Sequence, residues 1–177
     1  MSVFTNPASA SVEHARAYVA AILDLLGDQK PIDVLARTEA ALRDKVRGVS
    51  SQDLTRPEAP GKWSVRHVLQ HLADSDLVWG YRVRMVLSQD RPTLTGYDQD
   101  AFAEKLGYDD VDAEDALELF AVLRRSNSRL IERVSGNDLE RAGVHVERGE
   151  ESVAHMMKLY AGHDLLHLRQ IDRILQR

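Results

Sequence analysis

Apolar residues recur along this chain with the period of an α-helix, and no window alternates apolar and polar convincingly as a half-buried strand does. Val12, Ala15, Val19, Ile22, Leu23 and Leu26 form one stripe that stops at Gly27. Pro31 opens a second helix, with Ile32, Leu35, Leu42 and Val46 inward and a stop near Gly48. The polar run SSQDLTRPEAPGK is a connection rich in turn residues. Ser64 is a good N-cap for a long third helix carrying Val65, Val68, Leu72, Trp79, Val83 and Val86. Residues 90–111, with Pro92, Gly96 and Gly107, exceed the 2–8 residues usual between bundle helices and predict a crossover from end to end, with a short helix around 98–106. Asp112 caps a helix with Ala116, Leu119, Phe120, Leu123, Leu130 and Val134 inward. Gly136 and Gly143 bracket a turn region, and a last helix runs from about Ser152 to the C-terminus. The expected fold is all-α: a four-helix bundle with a long crossover between the middle helices.

The bulk numbers narrow what such a bundle does. A length of 177 residues fits one domain, and 44% hydrophobic with 29% charged residues is an ordinary soluble balance. The net charge of −5 argues against nucleic acid as a partner, and the arginines are scattered among acids as on a solvated face. No stretch approaches the roughly 18 apolar residues of a membrane span, and the N-terminus lacks the pattern of a signal peptide, so a cytoplasmic protein is expected. With no cysteine, a disulfide framework, a catalytic thiol and a cysteine-ligated zinc are all excluded. Any metal must be held by histidines and carboxylates, and any reacting thiol must arrive on another molecule.

Two His-x-x-x-His pairs carry the candidate chemistry: His67/His71 and His163/His167. Four residues is one helical turn plus about 40°, so both rings of a pair project from one side of a helix. On the last helix, Met156 with His163 and Tyr160 with His167 are nearly in register, so both histidines lie on or beside the apolar stripe. Two buried imidazoles need hydrogen bonds or a metal. On the long helix His71 sits between Val68, Leu72 and Ser75 beside the core stripe, whereas His67, one turn earlier, is read as exposed. The expected site is an open metal centre of His71, His163 and His167, whose fourth position is left for water or substrate; core histidines bonded to other side chains are the alternative. Asp164 and His145 are weaker catalytic candidates: the first as a carboxylate orienting a ligand imidazole, the second as a loop residue at the mouth of the site. Asp74 and Asp76 read as a solvated face. Tyr160 and Gln170 share the histidine face, and His14 and His155 have no evident partners.

The stretch GKWSVRHVLQHLADSD resembles the signature of the DinB-like (damage-inducible) superfamily, and GHDLLHLRQI resembles its second signature, HDxxHxxQI. RPTLTGYDQDAF and RAGVHVERGEESV are similar to the branch that includes bacillithiol S-transferases and proteins named as metal-dependent hydrolases. The resemblance covers about residues 31–175. It implies a four-helix bundle holding a divalent transition metal, zinc or nickel above all, on His71, His163 and His167, and it implies a homodimer. Residues 1–30 are then an extension, or the first helix of a domain spanning 1–177. It also implies a small-molecule substrate and a metal-activated low-molecular-weight thiol, such as bacillithiol or mycothiol, that attacks an electrophile. A metal-dependent hydrolase and a non-catalytic metal-binding stress protein are the alternatives.

Overall fold

A computed structural model describes residues 12–176, with side chains from residue 15 onward. His14 therefore lies outside the described side chains. Five long helices dominate the described residues: α1 (Val12–Leu26), α2 (Pro31–Val46), α4 (Val65–Ser88), α6 (Ala113–Ile131) and α8 (Val153–Leu175). Short helices α3 (Ser51–Thr55), α5 (Gln99–Lys105) and α7 (Asn137–Glu140) lie in the connections. The helices start where short polar side chains take up free N–H groups. Ser64 accepts from the His67 N–H, Ser152 from that of His155, and Asp112 from those of Glu114 and Asp115. Gly27 and Gly48 close α1 and α2 at φ of 54° and 72°, where a side chain would be strained.

α2, α4, α6 and α8 pack as a ring of neighbours, and α1 lies against α8. Side-chain pairings give the directions. Thr38 meets Asp164 and Lys45 meets Asp172, so α2 and α8 run parallel. Asp76 meets Arg124 and Arg84 meets Asn127, so α4 and α6 also run parallel. His71 meets His163, and Trp79 stacks on Tyr160, so α4 and α8 run antiparallel. Two parallel neighbours in succession cannot be joined by a tight turn. The chain from Gln89 to Asp112 therefore runs the length of the bundle, as the long crossover predicts.

A small three-stranded sheet departs from the expected purely helical chain. β1 (Thr93–Leu94) in the crossover pairs in parallel with β2 (Ala142–His145), and β2 pairs antiparallel with β3 (Gly149–Ser152), which leads directly into α8. Strands this short do not hold a detectable alternation. A Cβ on Gly143 would come within 2.9 Å of Leu94 and of the Pro92 carbonyl, so only glycine lets β1 and β2 approach there.

The apolar interior falls into two clusters. One gathers Leu26, Val34, Leu35, Trp79, Val83, Val86, Val153 and Met156. The other gathers Leu42, Val65, Val68, Leu69, Leu72, Ala116, Leu117, Phe120, Ile171 and Ile174. Between these clusters α4 turns Asp74, Ser75 and Asp76 inward, and α8 carries His163, Asp164 and His167. This buried belt holds the Arg124 ion-pair network and the histidines.

Two burial expectations change. Leu119 is 42% exposed, and its turn of α6 turns Ala116, Leu117 and Phe120 inward instead. Asp74 and Asp76, expected on a solvated face, are buried. The Tyr108 hydroxyl donates to Asp74 at 2.5 Å, and Arg124 covers Asp76. Partners supplied by other elements offset part of the desolvation cost, and at Asp76 burial still outweighs Arg124 and raises the carboxyl to about 6.

Candidate metal centre

The three histidines converge between the two apolar clusters. Nε2 of His163 lies 3.1 Å from Nε2 of His71 and 3.1 Å from Nε2 of His167. One ligand nitrogen from each of the three falls within 4.8 Å of the others. His71 and His167 are buried, and His163 is partly exposed. α4 delivers His71, and α8 delivers both others from one face, as the i,i+4 spacing requires. The Trp63 ring, 4.9 Å from that of His71, closes the site on the side of the α3–α4 connection.

Protonation limits what this cluster can do. Burial holds all three imidazoles below their ordinary range, and neighbouring imidazoles add to the effect at His71 and His163; for His167 the value falls to about 4. All three are therefore neutral at pH 7. His167 Nδ1–H donates a hydrogen bond to Gln170 Oε1 at 2.8 Å, leaving a lone pair on Nε2. The single Nε2 of His163 faces two other nitrogens, and one N–H cannot serve both contacts. A cation resolves the conflict. Two nitrogens bound to one tetrahedral zinc at about 2.05 Å would sit roughly 3.3 Å apart, close to the spacing observed. The donor set thus fits a divalent transition ion. Nδ1 of His71 and Nδ1 of His163 are buried without hydrogen-bond partners among the described residues.

His67 stands outside the cluster. Its Nδ1 bonds the capping Ser64 hydroxyl at 2.8 Å, and its Nε2 lies 3.3 Å from Asp109, leaving it half-buried rather than exposed. Both oxygens of Asp164 are engaged by Arg124, at 2.6 and 3.1 Å, and Oδ2 also lies 2.8 Å from the Thr38 hydroxyl. Its carboxylate forms no hydrogen bond to a histidine ring among the described residues. His145 is not a surface loop residue: it lies on β2, 1% exposed, with Nδ1 accepting the Glu147 N–H. Burial and the nearby Arg148 and Arg82 lower its pKa to about 4. His155 is half-buried and supplies the backbone N–H that Ser152 caps.

A half-open cleft lies over His71 and His163. α4 contributes Ser75 and Arg82, α8 Leu159 and Tyr160, the crossover Tyr97 and Gln99, the β2–β3 turn Arg148, and α1 Tyr18, Val19 and Ile22. The Ser75 hydroxyl lies 2.7 Å from that of Tyr97 and 3.4 Å from Nε2 of His71. Ser75, Tyr97 and Arg148 fall within the stretches that resemble the family and Tyr18 does not, but only the fold shows that all four reach the cleft. Tyr160 was legible on the histidine face.

Known proteins resemble this chain in sequence and in fold. A family model described as the DinB superfamily matches residues 35–171. A protein of Oceanobacillus iheyensis carrying the name "putative metal-dependent hydrolase" is 29% identical over 136 residues, spanning 77% of this chain and 78% of that one. YfiT of Bacillus subtilis, which carries the same name, is 27% identical over 149 residues, 84% of each chain. The solved structure of YfiT, described as "a probable metal-dependent hydrolase with an unusual four-helix bundle topology", matches with a TM-score of 0.75 at 25% identity, covering 82% of this chain and 86% of that one. In fold and in sequence across most of its length, this chain belongs to the DinB superfamily.

Proposed function

We propose that His71, His163 and His167 hold a divalent transition metal, zinc or nickel, and that the protein uses it to transfer a low-molecular-weight thiol to an electrophilic small molecule. The observation that carries this is the convergence of three neutral imidazole nitrogens, two of whose rings border a half-open cleft. An ion there would lower the pKa of a thiol or a water at its open position into the neutral range. The thiol proton leaves to solvent, sulfur forms a bond to the electrophilic carbon, and the leaving group departs with the electron pair of the bond that breaks. Ser75 and Tyr97 place hydroxyl groups beside His71, where they orient the reactants, and α1 with Tyr160 shields the cleft from water. The cleft lining contains two arginines and no carboxylate among the described residues, which favours an anionic thiol nucleophile over a water that needs a general base.

Metal-dependent hydrolysis is the second reading, supported by the names of the relatives. The two separate by assay. Conjugation of a thiol to a bimane electrophile, lost in His163→Ala, supports the first. Turnover of a nitrophenyl ester without added thiol supports the second. Elemental analysis after metal loading that finds less than about a tenth of an equivalent defeats both. We further propose that α1 and the bundle act as one domain, because α1 supplies cleft wall, and that two copies associate; limited proteolysis and light scattering test these. Among the described residues, no helix is long and apolar enough to cross a membrane.

A further inference from the structure

Arg82 is the least explained charge in the molecule. It is 4% exposed, on α4, and forms part of the cleft wall. Nη1 donates to the Tyr160 hydroxyl at 3.3 Å and Nη2 to the Thr95 carbonyl, while Nε is buried with no partner. Among the described residues no carboxylate lies within ion-pair distance of it, and Glu151, which feels its charge from further off, is held by Arg148. A buried guanidinium without a counter-ion is costly, and buried cations are ordinarily paired. The other buried arginine of the bundle, Arg124, obeys that rule with two carboxylates.

Arg148 lines the same cleft from the β2–β3 turn. Its Nε and Nη2 grip Glu151, at 2.5 and 3.1 Å. Glu151 is therefore already neutralised. His145, whose charge would add to the group, is held neutral. The wall retains one positive charge beyond what its own acids balance. Three phenols, Tyr18, Tyr97 and Tyr160, surround it with further hydrogen-bonding groups in the same cleft.

We propose that Arg82 and Arg148 form an anion subsite of the cleft that binds a carboxylate of the small-molecule ligand, so that the protein selects substrates carrying a negative charge away from their reacting atom. The inference deepens the thiol-transfer reading and rests on it for the identity of the ligand, but the subsite itself needs no metal. A guanidinium offers a planar fork that matches a carboxylate, and in a cleft with low dielectric walls that pairing gains strength. The histidines and the arginines then engage different groups of one ligand, or of two ligands held side by side.

The test uses the whole chain stripped of metal with a chelator, at constant ionic strength, with succinate as the probe and uncharged succinamide as its control. Calorimetry or thermal shift is expected to show succinate binding and no binding of succinamide. Arg82→Gln and Arg148→Gln are each expected to weaken succinate at least tenfold. Glu151→Gln, which frees Arg148, is expected to tighten it. Should Arg82→Gln fail to fold by circular dichroism, Arg148→Gln and Glu151→Gln decide. Equal binding of succinate and succinamide, or succinate affinity unchanged by substitution of either arginine, overturns the subsite. Failure of metal loading with arginine-dependent succinate binding intact overturns the metal reading alone.

The holoprotein then locates the carboxylate. A rise in KM from Arg148→Gln confined to N-acetylcysteine, and absent for N-acetylcysteamine, places it on the thiol. A rise confined to iodoacetate, and absent for iodoacetamide, places it on the acceptor. A rise in neither case counts against the proposal.

Discussion

Gln170 does for His167 what no described side chain does for His71 or His163: it accepts a hydrogen bond from Nδ1–H and so fixes which nitrogen faces the cluster. Partners of this kind commonly govern metal affinity. Replacing Gln170 with Leu is expected to weaken metal binding about 10- to 100-fold, read by competition with a chromophoric chelator, while His67→Ala leaves the stoichiometry unchanged. His71 could be ranked above His67 on the helical wheel alone, because the apolar stripe of α4 passes beside it. The buried state of Asp74 and Asp76 could not be read that way. A carboxylate in a helix reads as solvated until the Tyr108 hydroxyl and the Arg124 guanidinium, tens of residues away, are known to face it.

At the scale of elements, α1 most changes the expected site. It lies before the region matched by the family model, yet Tyr18, Val19 and Ile22 form cleft wall. Its seat on α8 depends on Gly162, next to His163. A Cβ there would stand 2.3 Å from the Ile22 carbonyl oxygen, which is backbone and cannot rotate away. Gly162→Ala is expected to push α1 outward and to cost roughly 1–3 kcal/mol of stability in urea unfolding. The crossover was legible from length alone, because a connection that long has to travel. The sheet was not: two to four residues per strand hold too little alternation, and the partners of β2 come from both sides of it in the chain. That sheet nonetheless fixes the turn that brings Arg148 to the cleft.

For the whole molecule, stability and site share one buried belt. Arg124 touches Asp76 from α4, Asp164 from α8 and the Leu35 carbonyl from α2, so one side chain ties three helices to α6. Arg124→Met leaves two buried carboxylates without their counter-ion. It is expected to lose about 3–5 kcal/mol by denaturant unfolding, a large part of the 5–15 kcal/mol typical of a domain. The histidines set the response to acid. His145 and His167 have folded pKa values of about 4, below the ordinary 6.5, so between these limits the unfolded chain binds more protons. Their contribution is present in full above pH 6.5 and is lost as pH falls toward 4. For the fully buried His167 that is on the order of 3 kcal/mol. Asp76, whose carboxyl burial raises to about 6, takes up its proton more readily in the folded state and opposes part of the loss. Urea midpoints of the metal-free protein should therefore fall from pH 7 to pH 4.5 by less than the histidines alone would give. Periodicity, caps and spacing are local properties, each set within a few residues by backbone geometry, and the sequence by itself determined the helices, the end-to-end crossover and the histidines that turn inward. Tertiary structure alone decided which charges are buried in pairs, that α1 walls the cleft, and that Arg82 has no ion-pair partner among the described residues, because desolvation and pairing depend on groups that only packing brings together.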